Sequence, residues 1–135
     1  MIEVRQTQTL DLAGPLLAKA VRFDTGGPGG ELMDMVRGCC VFELWDGARL
    51  VGAFAAYRQQ YSDGAQFVVT AAGGLPGYDL VGVMDAWLQM QAAGPDGARS
   101  LTCTTKRPGL IRRLKRAGYH VAGYVMRKEV SHGLA

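Results

Sequence analysis

The sequence is short of the residues that most often carry metal or redox chemistry, with 3 cysteines and 2 histidines among 135 residues. Cys39, Cys40 and Cys103 form an odd set without a paired ligand spacing. A zinc site takes about four ligands, and His120 and His132 are the only imidazoles, so no metal is expected and the thiols read as reduced side chains packed in or beside strands. No stretch approaches the ~18 uninterrupted apolar residues of a membrane span. The N-terminal MIEVRQTQTL has an acid at its third position and no apolar core of a signal peptide. These absences predict a cytoplasmic protein with no membrane partner. Acidic residues are missing altogether between 106 and 128, where Lys106, Arg107, Arg112, Arg113, Lys115, Arg116, Arg127 and Lys128 supply all the charge. Such a run either forms a solvated helix face or attracts phosphate, nucleotide or nucleic acid. Interleaved aromatics of the kind that bind single strands are absent from its basic helix.

What is present fits one soluble domain over 1–135. Apolar residues make up 48% of the chain and charged residues 20%, which supports a core and argues against long disorder. Alternation over 2–5 predicts a strand. Leu10, Ala13, Leu16, Leu17, Ala20 and Val21, spaced by three and four, predict an amphipathic helix. Its start is left open between a cap at Thr9 and a first turn at Pro15. TGGPGG over 25–30 predicts a loop; no strand precedes it and no Lys-Ser or Lys-Thr follows, which argues against a nucleotide P-loop. A brief helix over 31–37 comes next.

Two β-rich runs joined by Asp46-Gly47 then predict a hairpin, and a turn at Ser62-Asp63-Gly64 leads to a third strand, AQFVVTAA, covered on both faces. After Gly73–Gly77 a helix is predicted over 78–93, with Leu80, Met84, Trp87, Leu88 and Gln91 along one side. Ser100–Thr105 reads as a strand, 108–117 as a helix closed by Gly118, and 119–129 as a last strand with a bulge at Gly123. The order is β-α-α-β-β-β-α-β-α-β. A strand-helix-strand crossover in the second half makes the sheet mixed. Trp87 on an apolar helix face and Trp45 beside a turn read as core packing and hairpin support.

This order, together with DGARLVGAFAAYR and KRPGLIRRLKRAGYHVAGYVMRKEV, resembles the GNAT acyltransferase fold over essentially the whole chain. The first segment is similar to the family's third strand, with an apolar β-branched residue before glycine. The second is similar to its closing helix and strand, with Gly118-Tyr119 at the junction. The fold so implied is an α/β (α+β) domain with a mixed, mostly antiparallel sheet and one splayed parallel strand pair. Within the family the second half is similar to small GNAT-like proteins encoded by bacteriophages, which would place the protein in a host cytoplasm.

The resemblance implies acyl-CoA, most simply acetyl-CoA, as co-substrate and an amine as acceptor. It puts the pantetheine arm against the fourth strand, at Val69, Thr70 and Ala71, and the pyrophosphate at Gly73, Gly74, Gly77 and Tyr78. Thr104 and Arg107 at the strand-helix junction and Arg113 on the last helix complete the expected cofactor surface. The loop itself, AAGGLPGYDL, departs from the family's Arg or Gln, two residues, then Gly-x-Gly or Gly-x-Ala; Pro76 removes an amide and Asp79 opposes an anion. The fourth strand has no glutamate base, and Leu114 stands where many members have a tyrosine acid. Catalytic residues are therefore unassigned, with Glu43, Tyr119 and His120 as candidates by chain position beside Tyr78 and Asp79. Two functions follow. One is an N-acyltransferase working by direct attack of the amine. The other is a catalytically degenerate module that binds nucleic acid or a protein through 106–128. A homodimer through an edge strand is compatible with both.

Overall fold

The computed structural model describes residues 1–24 and 31–131, and the side chains of 1–20 and 31–131. The elements are β1 (Ile2–Thr7), α1 (Gly14–Asp24), α2 (Leu32–Val36), β2 (Cys40–Asp46), β3 (Arg49–Tyr61), β4 (Gly64–Gly74), α3 (Leu80–Ala92), β5 (Ser100–Cys103) and α4 (Pro108–Arg116). The predicted loop over 25–30 lies outside the described residues. Helix α1 begins at Gly14 with Pro15 in its first turn, which decides the open question of its start, since a proline there forfeits only an amide that has no helical partner.

The five strands run in the order β1-β2-β3-β4-β5, antiparallel from β1 to β4 and parallel between β4 and β5. The two tight turns use glycine at positive φ, 59° at Gly47 and 138° at Gly64, where a side chain would strain the backbone. On one face α1 and α2 bury Ala13, Leu17, Ala20 and Val36 against Val41, Ala53, Ala55 and Ala71. On the other, α3 sets Met84 and Leu88 against Phe42, Leu44, Phe54 and Val69. Trp87 joins this second core as expected: its ring centroid lies 4.5 Å from Phe42 and 5.9 Å from Phe54, and the two phenylalanines stack at 5.0 Å. β4 feeds both cores, so the strand is covered on each face, as its β-branched and small residues predict.

The β4–β5 ladder is the feature that positions the site. Gln66 pairs with Ser100, Phe67 with Leu101, Val68 with Thr102 and Val69 with Cys103, and there it ends, while β4 continues beside β3 to Gly74. The closed end is pinned. The Arg99 amide donates to the Ala65 carbonyl at 2.8 Å, the Arg99 guanidinium donates to the Asp63 carbonyl, and Thr102 Oγ1 donates to Gln66 Oε1 at 2.9 Å. The open end arises because Pro108 begins α4 and holds Arg107 extended, which turns the chain out of the sheet after β5.

One predicted element is corrected. The strand expected over 119–129 is absent from the sheet: residues 120–131 carry no helix or strand and are exposed. Alternation and β-propensity describe a segment fit for a ladder, but a strand exists only where a second backbone pairs with it. The bulge expected at Gly123 falls with it.

Gly73 tests the packing of β4 under α1. A Cβ at this position would sit 1.9 Å from the Leu16 carbonyl oxygen. Gly73→Ala is expected to cost about 2–3 kcal/mol in urea unfolding; an unchanged midpoint would contradict the close approach of α1 to β4.

Candidate active site

Beyond Val69 and Cys103 the two parallel strands part, and β4 presents its backbone to a gap floored by α3 and roofed by the start of α4. A cavity of about 250 Å³ opens there, walled by Ala72, Gly73, Gly74 and Leu75 of β4 and its loop, by Val81 and Met84 of α3, and by Leu110 of α4. Two cations from opposite sides close on the exposed strand. The Arg107 guanidinium donates to the Ala72 carbonyl at 2.9 Å, and the Lys19 ammonium donates to the Gly74 carbonyl. Ala72 and Gly74 are two apart, so their carbonyls face the same side of β4, away from β3.

A second, wider cavity of about 470 Å³ adjoins the first and is bordered by Gly77, Tyr78, Asp79 and Gly82 at the start of α3 and by Arg113 and Arg116 on α4. Tyr78 and Arg113 line both cavities. Asp79 caps α3, its Oδ1 accepting from the Gly82 amide at 3.1 Å. This carboxylate satisfies part of the helix N-terminus that would otherwise favour an anion, so positive charge in the second cavity comes from the α4 arginines.

The glycines of the loop have packing reasons. Gly73 lies under α1, and a Cβ on Gly74 would sit 2.0 Å from Leu80 Cδ1 and 2.9 Å from the Val51 carbonyl oxygen. Gly77 differs: it has φ 90° and open space around it, so its conformation alone requires glycine.

Of the residues expected at the cofactor surface, Gly73, Gly74, Gly77, Tyr78, Arg107 and Arg113 line these cavities. Val69 and Ala71 are buried, one in each core, and the Thr70 hydroxyl lies 3.4 Å from Cys39 Sγ. Thr104 is exposed at the junction. Lys19 and Met84 were missed. Nothing in a helical period distinguishes a lysine that reaches a strand carbonyl from one that points to water.

The three catalytic candidates stand apart from the cavities. Glu43 is 8% exposed in the middle of β2, opposite Arg5 on β1, and accepts a hydrogen bond from Trp45 Nε1 at 3.1 Å. His120 is exposed. Tyr119 follows the α4 terminus, where its amide donates to the Leu114 carbonyl at 3.0 Å. Burial, and then the nearby Asp85 carboxylate, push its phenol well above the usual tyrosine range. Asp85 is itself 8% exposed and accepts from Gln89 Nε2 at 2.7 Å. The Tyr119 hydroxyl has no hydrogen-bond partner of acceptable geometry among the described residues.

No family model and no curated protein matches the sequence. Solved structures do match over nearly the full length. Ribosomal-protein-alanine N-acetyltransferase from Brucella melitensis biovar Abortus 2308 superposes with a TM-score of 0.68 at 16% identity, covering 94% of this chain and 99% of that one. The chain has the GNAT fold. A GNAT family acetyltransferase from Staphylococcus aureus aligns with a TM-score of 0.58 at 11% identity, over 96% of this chain and 98% of that one. A predicted acetyltransferase with acetyl-CoA from Clostridium acetobutylicum aligns with a TM-score of 0.62 at 10% identity, over 96% of each chain. Among the described residues no helix is long and apolar enough to cross a membrane, and no cluster of His, Cys, Asp or Glu is arranged to hold a metal ion.

The buried phenol gives a test of the site's surroundings. Tyr119→Phe removes the hydroxyl from beside the Asp85 carboxylate and is expected to change stability by no more than about 1 kcal/mol in urea unfolding. A loss above about 1 kcal/mol would show that the hydroxyl is hydrogen-bonded in solution.

Proposed function

We propose that this protein is an acyl-CoA-dependent N-acyltransferase that passes an acetyl group to an amine by direct attack. The observation that carries the reading is the parting of β4 and β5 after Val69 and Cys103, which leaves strand backbone facing an apolar-walled cavity. A pantetheine arm is a chain of amides and methylenes, and both properties suit this place: the amides pair with β4 backbone and the methylenes lie against Val81, Met84 and Leu110. The Ala72 carbonyl, held by Arg107, is the group such an arm shares or takes over. The anionic end of CoA fits the second cavity, where Arg113 and Arg116 offer planar donors to phosphate oxygens.

Fit is poorer at the start of α3, where Asp79 already holds the Gly82 amide. Affinity in this reading therefore rests on the β4 backbone and α4 arginines more than on the helix dipole. No Asp, Glu or His among the described residues lines the strand cavity. The chain's contribution is then orientation of the thioester and exclusion of water. The amine nitrogen attacks the thioester carbonyl carbon, the C–S bond breaks, CoA leaves as the thiolate, and the proton lost by nitrogen passes to solvent or to that thiolate.

A second reading is favoured by the exposure of Lys106, Arg112, Arg113, Lys115, Arg116, Arg127 and Lys128 with no acid between them. In it the same surface binds the phosphates of a nucleic acid, with an affinity that falls steeply with salt.

Calorimetric titration with acetyl-CoA is expected to give saturable binding, weakened at least about tenfold when Arg113 and Arg116 are both changed to Ala. Because the acceptor must lose its proton without a protein base, kcat/KM for an alkylamine should climb about tenfold per pH unit between about pH 6 and 9. Absence of heat with acetyl-CoA, CoA and longer acyl-CoAs would remove the proposal, and a plateau set by a group titrating near pH 7 would show that a protein base takes part.

A further inference from the structure

The sheet is covered unevenly on the side of α1 and α2. Ala56 of β3, Phe67 and Val69 of β4, and Leu101 and Cys103 of β5 pack into the core beneath α3. Successive strand residues point to opposite faces, so Tyr57, Gln59 and Tyr61, Gln66 and Val68, and Ser100 and Thr102 stand on the other face. Among the described residues α1 and α2 pack on Val41, Ala53, Ala55 and Ala71, and that core stops short of these positions. The ladder sets them in rows. Tyr57 pairs with Val68 and Val68 with Thr102, Gln59 pairs with Gln66 and Gln66 with Ser100, and Tyr61 closes the hairpin opposite Gly64. The rows extend about 13 Å along the strands and about 10 Å across them.

Their chemistry is uniform: two phenols, two carboxamides, two hydroxyls and one valine, with no acid and no base. Tyr57 and Tyr61 are 36% and 51% exposed. The polar groups are also ordered. Thr102 Oγ1 donates to Gln66 Oε1 at 2.9 Å, and Gln66 Nε2 donates to Tyr61 Oη at 3.2 Å. Because the Tyr61 oxygen accepts this bond, its own proton is turned away from Gln66 and offered outward. Gln59 commits one amide proton to the Gln60 carbonyl at 3.3 Å, which leaves its second N–H and its carbonyl oxygen for a ligand. Such a surface matches a ring with hydroxyls on its rim and C–H bonds on its faces. The phenol rings take the apolar face, and the amides and hydroxyls take the rim. Phosphate would find no cation on these rows, and a second ammonium would find no carboxylate.

The rows end at the fork. Val68 with Thr102 is the rung before Val69 with Cys103, where β4 and β5 part. Ala55 pairs with Ala71 and Ala56 with Val69, so Thr70 is an extra residue bulged between them, its hydroxyl 3.4 Å from Cys39 Sγ. Helix α3 closes the opposite face of the fork, since Phe67, Val69 and Leu101 pack beneath it. A molecule seated on Tyr57 and Gln66 therefore reaches the fork from the face that α3 leaves open. We infer that Tyr57, Gln59, Tyr61, Gln66 and Thr102 form the acceptor subsite and select an amine carried on an otherwise uncharged sugar ring. This rests on the acyl-CoA reading: with the anionic end of CoA at the start of α3, the arm runs back along β4 and brings its thioester to the fork. The sugar's amine nitrogen attacks the thioester carbonyl carbon from the uncovered face, the C–S bond breaks and CoA leaves as the thiolate. The proton lost by nitrogen passes to solvent or to that thiolate.

Glucosamine is the probe. Added to the isotope-labelled full chain without CoA, it should shift the backbone amides of Tyr57, Gln66 and Thr102 and the side-chain amides of Gln59 and Gln66 in one saturable process. With acetyl-CoA present, kcat/KM for glucosamine is compared with kcat/KM for propylamine, which has no ring to seat. The ratio of the two should fall at least about tenfold in Gln66→Leu and in Tyr61→Phe, through KM. Calorimetric affinity for acetyl-CoA should be the same in both variants, which also shows that the domain remains folded. Shifts confined to other residues, or no shifts, overturn the inference. So does a ratio that stays constant, which would make Gln66 and Tyr61 structural. Glucosamine shifts on these rows in a protein that gives no heat with acetyl-CoA would uphold the sugar site and remove the acyl-CoA reading on which its acceptor role rests.

Discussion

Zipping at one end and parting at the other is the constraint on which the second half of this protein depends. The Ala65–Arg99 backbone bond and the Gln66–Thr102 side-chain bond hold β4 and β5 together at their start. Pro108 and the extended Arg107 then take the chain out of the sheet after Cys103. Because β4 continues to Gly74, its last backbone groups would be left against an apolar wall, a costly arrangement for unpaired polar groups. Arg107 and Lys19 meet the Ala72 and Gly74 carbonyls and offset that cost. The slot is thus an interrupted ladder in which side chains meet the Ala72 and Gly74 carbonyls.

The same constraint sets the length of β5. Pro108 begins α4 and takes the chain out of the sheet, so β5 ends at Cys103 while β4 runs on to Gly74, and this difference in length opens the slot.

Much of the architecture was legible from residue pattern. The Asp46-Gly47 hairpin, the meander, the crossover through α3 and Trp87 in the core all follow from local rules of period, turn chemistry and capping. What escaped was whatever depends on a partner distant in sequence. The closing strand was expected from alternation over 119–129, yet alternation records what a segment can pair with and not whether a partner is present. Gly73 and Gly74 read as glycines that let a phosphate approach the backbone; the backbone of Leu16 and the side chain of Leu80 add a packing reason that no local pattern shows. Asp79 was read as hostile to an anion, and its hydrogen bond to the Gly82 amide supplies the structural reason for its presence. Lys19 and buried Asp85 carried no signal, since a charged residue on a helix looks the same in sequence whether it faces water or a strand.

In the proposed function the backbone of β4 past Val69 is the edge that meets the pantetheine arm of CoA. Amide correlation spectra of the isotope-labelled protein, recorded while CoA is added, address it residue by residue. The amides of Ala72, Gly73 and Gly74 are expected to shift together with those around Arg113, in one saturable process. Shifts confined to the outer face of α4, with the β4 amides unmoved at saturation, would contradict it.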